Sequence, residues 1–333
     1  MTEEIITLDY GSGGGKTAAL IEELLLPAFS NERLNPLGDG AALNLTGQMA
    51  FSTDSFVVSP LFFPGGDIGK LAVCGTVNDL AMCGAEPLYL SLSMILEEGL
   101  PMDTLRRVVG SVAQAAKEAG VEIVTGDTKV VERGRGDGIY LNTSGIGKIT
   151  HPGLSPDNIQ PGDAVILSGT MGDHGATIMM ARDDLLEGSP LRSDCQPLHR
   201  LAQAALNAGG VRVLRDPTRG GVATTLNEFT DSRDFSVELA EDALPIRAPV
   251  QAACDLLGLD PLYCANEGKM LAVVSAERAG SVLQALRKTP GGEDAAIIGR
   301  VTTRAPGKVL LTTALGSSRV LARLSGAQLP RIC

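Results

Sequence analysis

The stretch FSTDSFVVSPLFFPGGDIGKLAVCGTVNDLAMCGAEP, residues 51–87, carries the clearest fold signal in the chain. Its first part holds apolar, strand-like runs that Thr53 and Asp54 interrupt. Residues 67–85 then predict a helix whose small side chains permit close packing against a neighbour. The apolar run at 87–96 predicts a strand.

The same mixture continues on both sides of this stretch. Further helices are predicted at 16–26, 101–120, 198–209, 221–230 and 248–258, and further strands at 121–127, 139–149, 164–170, 269–275, 295–301 and 308–313. Pro101 suits the first turn of its helix and Gly120 suits the position after its end. Because helices and strands mix in both halves, the predicted fold class is α/β (α+β).

The length of 333 residues predicts more than one domain, because a single core stops growing at roughly 250–300 residues. The Pro- and Gly-rich segment THPGLSPDNIQPGD, residues 150–163, is the predicted boundary. We therefore expect domains at 1–152 and 153–316. Residues 317–333 show no core-strand pattern and predict a poorly anchored, flexible tail that carries Cys333.

Composition excludes several classes of function. A net charge of −11 argues against sequence-independent nucleic-acid binding, which needs clustered Lys and Arg. Six cysteines without C-x-x-C spacing and only three histidines argue against a structural zinc site. The acidic N-terminus has no signal-peptide pattern, and no apolar run approaches the roughly 18 residues of a membrane span. We expect a cytoplasmic protein with reduced thiols and no membrane partner.

The loop GSGGGKT, residues 11–17, precedes a predicted helix and is similar to a phosphate-binding loop. It is not a Walker A motif, because Tyr10 stands where that motif needs Gly, and Lys16 replaces the third Gly of G-x-G-x-x-G. A flexible N-terminal loop explains the composition equally well.

Five aspartates are flanked by small or polar residues beside apolar runs: Asp39, Asp54, Asp79, Asp127 and Asp216. Carboxylates at strand ends can converge on Mg²⁺, which often bridges carboxylates to substrate phosphates. The alternative for any one Asp is a helix cap or a turn. The set together with the glycine loop favours a nucleotide–metal site.

Cys333 is the last residue of the sequence, at the end of the predicted tail. An exposed thiol of this kind is often incidental. A coil of about fifteen residues nevertheless spans roughly 20 Å root-mean-square, so it can carry an attached group into a distant pocket.

Taken together, these segments resemble the HypE family, the carbamoyl dehydratases of [NiFe]-hydrogenase maturation. Besides residues 51–87, the resemblance rests on GSGG (11–14), EEGLP (97–101), VTGDTKVVERG (124–134), SGTMGDHGATI (168–178), RDPTRGGVATTLNE (215–228), NEGKM (266–270) and PRIC (330–333). Aminoimidazole ribonucleotide synthetase, selenophosphate synthetase and thiamine-phosphate kinase are similar in the glycine loop and the aspartates, but they lack the cysteine tail.

The resemblance implies a two-domain aminoimidazole ribonucleotide synthetase-like fold. The first domain would form a β-barrel across a homodimer with ATP in the interface clefts, and the second would be an α/β layer. A carbamoyltransferase of the HypF family would load the terminal cysteine. ATP would then drive dehydration to a thiocyanate, whose cyano group would pass to an iron scaffold of HypC and HypD.

The resemblance also implies residue roles. Cys333 would carry the substrate, Glu267 would act as base and Lys129 would orient it or relay protons. Nucleotide and Mg²⁺ would meet Asp39, Asp54, Asp79 and Asp216, with Asp127 a weaker candidate for nucleotide binding, and the phosphates would meet Gly11, Gly13, Gly14 and Lys16. His174 and Arg219 are expected at the cleft, and Arg331 and Ile332 would help dock the thiol.

Two alternatives stay open at this point. One is an ATP-dependent synthetase or kinase of the same superfamily that acts on a free small molecule. The other is a scaffold that tethers a group on its thiol and uses nucleotide as a conformational switch. For Lys129 and Glu267, the alternative to a catalytic role is a solvated side chain or a surface ion pair.

Overall fold

Strands and helices alternate along the whole chain, which confirms the predicted mixed α/β class. The computed structural model describes residues 4–324 and 331–333. Its strands are β1 (Met49–Phe56), β2 (Phe62–Phe63), β3 (Gly66–Asp67), β4 (Ala85–Glu97), β5 (Glu122–Val131), β6 (Ile139–Ile149), β7 (Ala164–Leu167), β8 (Val211–Arg215), β9 (Ser236–Ala240), β10 (Leu271–Val274), β11 (Ala296–Thr302), β12 (Val309–Thr312) and β13 (Ser318–Leu321). Its α-helices are α1 (Gly15–Leu20), α2 (Leu26–Phe29), α3 (Ile68–Met82), α4 (Met102–Ala119), α5 (Asp173–Arg182), α6 (His199–Ala208), α7 (Gly221–Thr230), α8 (Ala248–Leu257) and α9 (Ala279–Arg287). A π-helical segment, Ile21–Leu25, joins α1 to α2.

The first sheet has four strands in the order β1-β6-β4-β5. Along β4, buried Leu90, Leu92 and Met94 alternate with half-exposed serines, because successive side chains of a strand point to opposite faces. The buried face packs against α3, and α4 lies beside α3. The other face, which we call the open face, carries Phe51 at 71% exposure and Ile95 at 44%.

The second sheet has seven strands in the order β13-β12-β9-β11-β7-β10-β8. Its interior strands β7 and β10 are buried at every residue, as continuous apolar runs predict for strands covered on both faces. Residues of α7 pack with one face of this sheet, and residues of α6 and α9 pack with the other. None of the helices in the described part of the chain has the length and apolar content needed to cross a bilayer.

The poorly anchored tail predicted from residue 317 is wrong for Ser318–Leu321, which form β13 and pair with β12. Only Leu321 of this strand is buried, so no alternation of apolar residues marks it in the sequence. Residues 325–330 of the predicted tail lie outside the described residues. The boundary predicted between residues 152 and 153 falls between the two sheets, and it stays a prediction.

Helix α3 lies unusually close to the first sheet. Thr76 on the helix and Thr143 on β6 share a buried hydrogen bond of 2.6 Å between their hydroxyl groups. A Cβ atom at Gly145 on β6 would lie 2.7 Å from a methyl carbon of Leu90 and 2.7 Å from that of Thr76. The absence of a side chain at Gly145 is therefore required on the β6 side of this contact.

We expect Gly145→Ala to lower the free energy of unfolding by about 1–3 kcal/mol, because the added methyl group overpacks the contact between α3 and β6. Urea denaturation measures the change. Gly110→Ala is the matched control: this site on α4 has no atom within 4 Å of an added Cβ, and alanine favours a helix over glycine by about 0.5–1 kcal/mol. Equal effects of the two substitutions would contradict the packing argument.

Candidate functional site

A cleft of about 530 Å³ lies between residues from the half of the chain that forms the first sheet and residues from the half that forms the second. We call it the Cys333 cleft. One wall comes from β1 and α3, and the other from β8 and the loop after it. Its acidic, basic and thiol side chains are Asp54, Asp79, Cys83, Arg215, Asp216, Arg219, Glu267 and Cys333. Three of the five predicted aspartates thus share one cleft with the predicted base and the terminal thiol.

Asp54 and Asp79 reach the cleft from β1 and from the last turn of α3. The Ser52 hydroxyl donates a hydrogen bond of 2.6 Å to Oδ2 of Asp79. Burial raises the pKa of Asp79, and the charge of Asp54 adds to the rise, while the Ser52 bond opposes it. Sequence reasoning missed Ser52, although residues two apart on a strand share a face and Ser52 stands two before Asp54.

Asp216 approaches from the opposite wall, in the loop between β8 and α7. Burial, followed by the charge of Asp79, raises the pKa of Asp216 to about 7. The guanidinium group of Arg215 acts in the other direction. Because three carboxylates converge here with limited solvation, the cleft favours a cation or a proton near them.

Glu267 lies deeper, with only 3% of its surface exposed. Its Oε1 atom is buried and has no hydrogen-bond partner among the described residues. Burial raises the pKa of Glu267 well above its ordinary value, and the charges of Asp194 and Asp216 add to the rise. A buried carboxyl with a raised pKa can take a proton near neutral pH, as a general base requires.

Cys333 is half-buried at the cleft, whereas the poorly anchored tail predicted an exposed thiol. The backbone N–H of Val57 donates to the Cys333 carbonyl at 3.0 Å. Burial raises the pKa of the thiol to about 12, and the charge of Glu267 contributes to the rise. At neutral pH the docked sulfur is therefore a neutral thiol, and it is poorly nucleophilic.

Hydrogen bonds, an ion pair and apolar packing hold residues 331–333, which we call the terminal tripeptide. The N–H of Ser59 donates to the Arg331 carbonyl at 3.3 Å, and Nη2 of Arg182 donates to the same oxygen at 2.9 Å. The Arg331 guanidinium forms an ion pair with Asp137. Ile332 is 3% exposed and packs in the core of the first half, so Arg331 and Ile332 both contribute to docking as predicted.

The glycine loop lies at a different cavity, of about 240 Å³, which we call the N-terminal cavity. Gly11, Gly13 and Thr17 line one side, and leucines, Met94 and Ile123 supply apolar walls. Gly14 is the N-cap of α1. Lys16 donates to the Thr7 hydroxyl at 3.1 Å and lies over the ring of Tyr10.

Asp127 and Lys129 also line the N-terminal cavity, where they form an ion pair of 2.7 Å on β5. Both side chains are more than half exposed. Within one chain, the structure does not bring Lys129 together with Cys333 as the resemblance led us to expect. Asp39 lies in an exposed loop before β1 and lines neither the Cys333 cleft nor the N-terminal cavity.

The carboxylates of the Cys333 cleft fit a hard cation that also needs an external ligand. Among residues 4–324 and 331–333, no group of three or more His, Cys, Asp or Glu side chains can hold an ion by itself. Mg²⁺ usually takes one or two carboxylates and completes its shell with phosphate oxygens and water. Asp54 and Asp79 both raise the pKa of Asp216, a repulsion that a bound cation would relieve.

Two family models match the chain. The model described as AIR synthase related protein, N-terminal domain, matches residues 38–149, and the corresponding C-terminal domain model matches residues 160–311. Carbamoyl dehydratase HypE of Azotobacter vinelandii is 52% identical over 332 residues, which cover 98% of this chain and 97% of the relative.

The chain also superposes closely on solved structures. A hydrogenase maturation protein HypE in complex with ATP superposes with a TM-score of 0.94 at 52% identity, and the match covers 98% of this chain and 99% of that one. A HypE chain from a HypE–HypF complex superposes with a TM-score of 0.80 at 48% identity, over 92% of this chain and 100% of that one.

Proposed function

The chain belongs to the HypE carbamoyl dehydratase family, and we propose that it dehydrates a carbamoyl group carried on its own Cys333. It is an ATP-dependent carbamoyl dehydratase of hydrogenase maturation. The observation that supports Cys333 as the carrier is the docking of this thiol in one cleft with Glu267 and three aspartates.

The reaction converts R–S–C(=O)NH₂ and ATP into R–S–C≡N, ADP and phosphate. The carbamoyl oxygen is a poor leaving group, so it first attacks the γ-phosphorus and displaces ADP. The C–O bond then breaks with departure of phosphate, and the nitrogen loses both protons as the C≡N bond forms. The protein must align the oxygen with the γ-phosphate and provide a base near the nitrogen.

Glu267 suits the role of base. Its buried Oε1 has no partner within residues 4–324 and 331–333, and it can accept a hydrogen bond from a carbamoyl N–H in the cleft. The raised pKa of Glu267 makes it a stronger base than an exposed glutamate. Deep burial also keeps water away from the developing nitrile.

Asp54, Asp79 and Asp216 would supply carboxylate ligands to Mg²⁺ together with phosphate oxygens and water, and the ion would offset phosphate charge. Asp39 stays a prediction as a fourth ligand. The apolar walls of the N-terminal cavity suit a nucleotide base, with the glycine loop at its rim for the phosphates. We assign Gly11, Gly13, Gly14, Lys16 and Asp127 to nucleotide binding on this ground.

A homodimer formed through the open face would bring the Cys333 cleft of one protomer close to the N-terminal cavity of its partner. Exposed Phe51, Val57 and Ile95 make part of this face apolar. Lys129 is the lateral neighbour of Ile95, on the β5 edge, whereas Phe51 lines the Cys333 cleft at the β1 edge. A two-fold axis parallel to the strands sets β5 of one protomer opposite β1 of its partner. Lys129 would then serve the partner's Cys333.

The partners follow from the direction of group transfer. A HypE–HypF complex has been solved for a relative, and we assign HypF as the carbamoyl donor for Cys333. The iron scaffold of HypC and HypD would receive the cyano group. Because the docked thiol is neutral and half-buried, it must leave the cleft to be loaded.

Intact-mass measurement tests the carrier role. After incubation with HypF, carbamoyl phosphate and ATP, we expect a carbamoyl adduct on Cys333 that subsequently loses the mass of one water. Cys333→Ala should show neither adduct nor cyano product, because the nucleophilic sulfur is absent. Cyano product at the wild-type rate from Cys333→Ala would refute the proposal and favour a free small-molecule substrate. A persistent carbamoyl mass in the wild type despite ATP consumption would favour the tethering scaffold.

Glu267→Gln separates loading from dehydration. The substitution preserves shape but removes the base, so we expect normal carbamoylation and dehydration slowed by about 10²–10⁴-fold. The same mass assay, followed over time, provides both rates. Slowing of both steps by the same factor would indicate a structural defect and contradict the role of base.

Mixed dimers test whether Lys129 acts across the interface. Lys129→Met and Cys333→Ala should each be inactive as homodimers. A mixed dimer holds one cleft with Cys333 and the partner subunit's Lys129, so we expect about half of the wild-type activity per dimer. A wild-type chain paired with Cys333→Ala is the control for half activity. Inactive mixed dimers beside an active control would place Lys129 in its own chain's cleft.

A further inference from the structure

His174, in the first turn of α5, contacts the terminal tripeptide from inside the protein. The imidazole is fully buried, and its Nε2 lies 2.8 Å from the Ile332 carbonyl oxygen. Its Nδ1 lies 2.8 Å from the hydroxyl of Ser193. Phe63 packs edge-to-face on the ring at 5.6 Å between centroids, which restricts the orientation of the imidazole.

The hydrogen-bond network assigns the tautomer of this histidine. A carbonyl oxygen can only accept, so Nε2 must carry the proton that is donated to Ile332. The Ser193 hydroxyl accepts from the N–H of Cys195 at 3.1 Å, which leaves its own proton for Nδ1. Burial lowers the pKa of His174, so the ring is neutral and this one arrangement satisfies every group.

We propose that His174 is a positioning residue that latches the terminal tripeptide and so sets the balance between a docked and an accessible Cys333. The proposal rests on the proposed function, in which that sulfur is loaded outside the cleft and reacts inside it. His174 does not touch the sulfur itself; it acts through the peptide group of Ile332.

The contacts that arginine side chains make at the terminal tripeptide are easier to replace. Arg331 is exposed, and Arg182 is only partly buried, so water can take over their hydrogen bonds when the tripeptide leaves. The bond from His174 is shielded from water on both sides, since Ile332 and the imidazole are both buried. Losing a donor in such a site leaves a carbonyl without a partner, which specifically penalises the docked state.

Two substitutions form a matched pair. His174→Phe keeps a flat ring against Phe63 but has no donor for Ile332. His174→Gln places an amide N–H near the position of Nε2 and retains a donor. His174→Asn, which reaches only toward Ser193, replaces the phenylalanine variant if that protein does not fold. All variants carry Cys83→Ser, because Cys83 is exposed and would also react with a thiol reagent. The parent protein with which they are compared carries this substitution alone.

The first measurement is the rate at which iodoacetamide alkylates Cys333, determined by mass spectrometry. We expect His174→Phe to react about tenfold faster than the parent, which corresponds to a lost bond of about 1.4 kcal/mol. His174→Gln should restore most of the protection. Alkylation of His174→Phe at the parent rate would overturn the latch.

The second measurement separates loading by HypF from single-turnover dehydration. We expect His174→Phe to load at least as fast as the parent and to dehydrate about tenfold more slowly, with rescue by His174→Gln. Faster alkylation with unchanged dehydration would overturn the positioning role. If the protein with its own Cys83 never loses water from Cys333, the proposed function fails, whereas the alkylation rates still decide whether His174 holds the tripeptide.

Discussion

One buried amide, the side chain of Asn78 on α3, joins the two halves of the chain. Its Oδ1 accepts from the N–H of Leu198 at 2.7 Å, and its Nδ2 donates to the carbonyl oxygens of Gln196 and Glu267, each at 3.2 Å. Asp79 follows Asn78 directly. Asn78 therefore links Asp79 to Glu267, the proposed base, through a fully satisfied polar group in a dry contact, which tolerates little displacement.

The Cys333 cleft concentrates negative groups where solvation is weak. Asp216 and Glu267 both have a raised pKa, for which burial is the largest cause, and the neighbouring carboxylates add to it. Such a cluster opposes folding, because burying an unpaired charge costs free energy. The proposed function accounts for the cluster, because ligands and protons bound during the reaction would offset these charges.

Local sequence patterns predicted most of the helices and strands and part of the candidate site. The bounds predicted for α4 and β6 agree closely with the structure, because periodicity and the Gly120 stop are encoded within a few residues. Contacts between distant segments leave no such trace. His174 meets Ile332 across 158 positions, and nothing near either residue marks that pairing. For the same reason the sequence could not show that Lys129 and Cys333 lie apart in one chain.

The docked state of Cys333 also bears on the chemical lifetime of the protein. Peroxides oxidise thiolates to sulfenic acid, and susceptibility follows exposure and ionisation. A sulfur with a pKa of about 12, folded against the interior, offers almost no thiolate to such oxidants. Between cycles of use the cleft therefore shields from oxidation the sulfur that the proposed function requires.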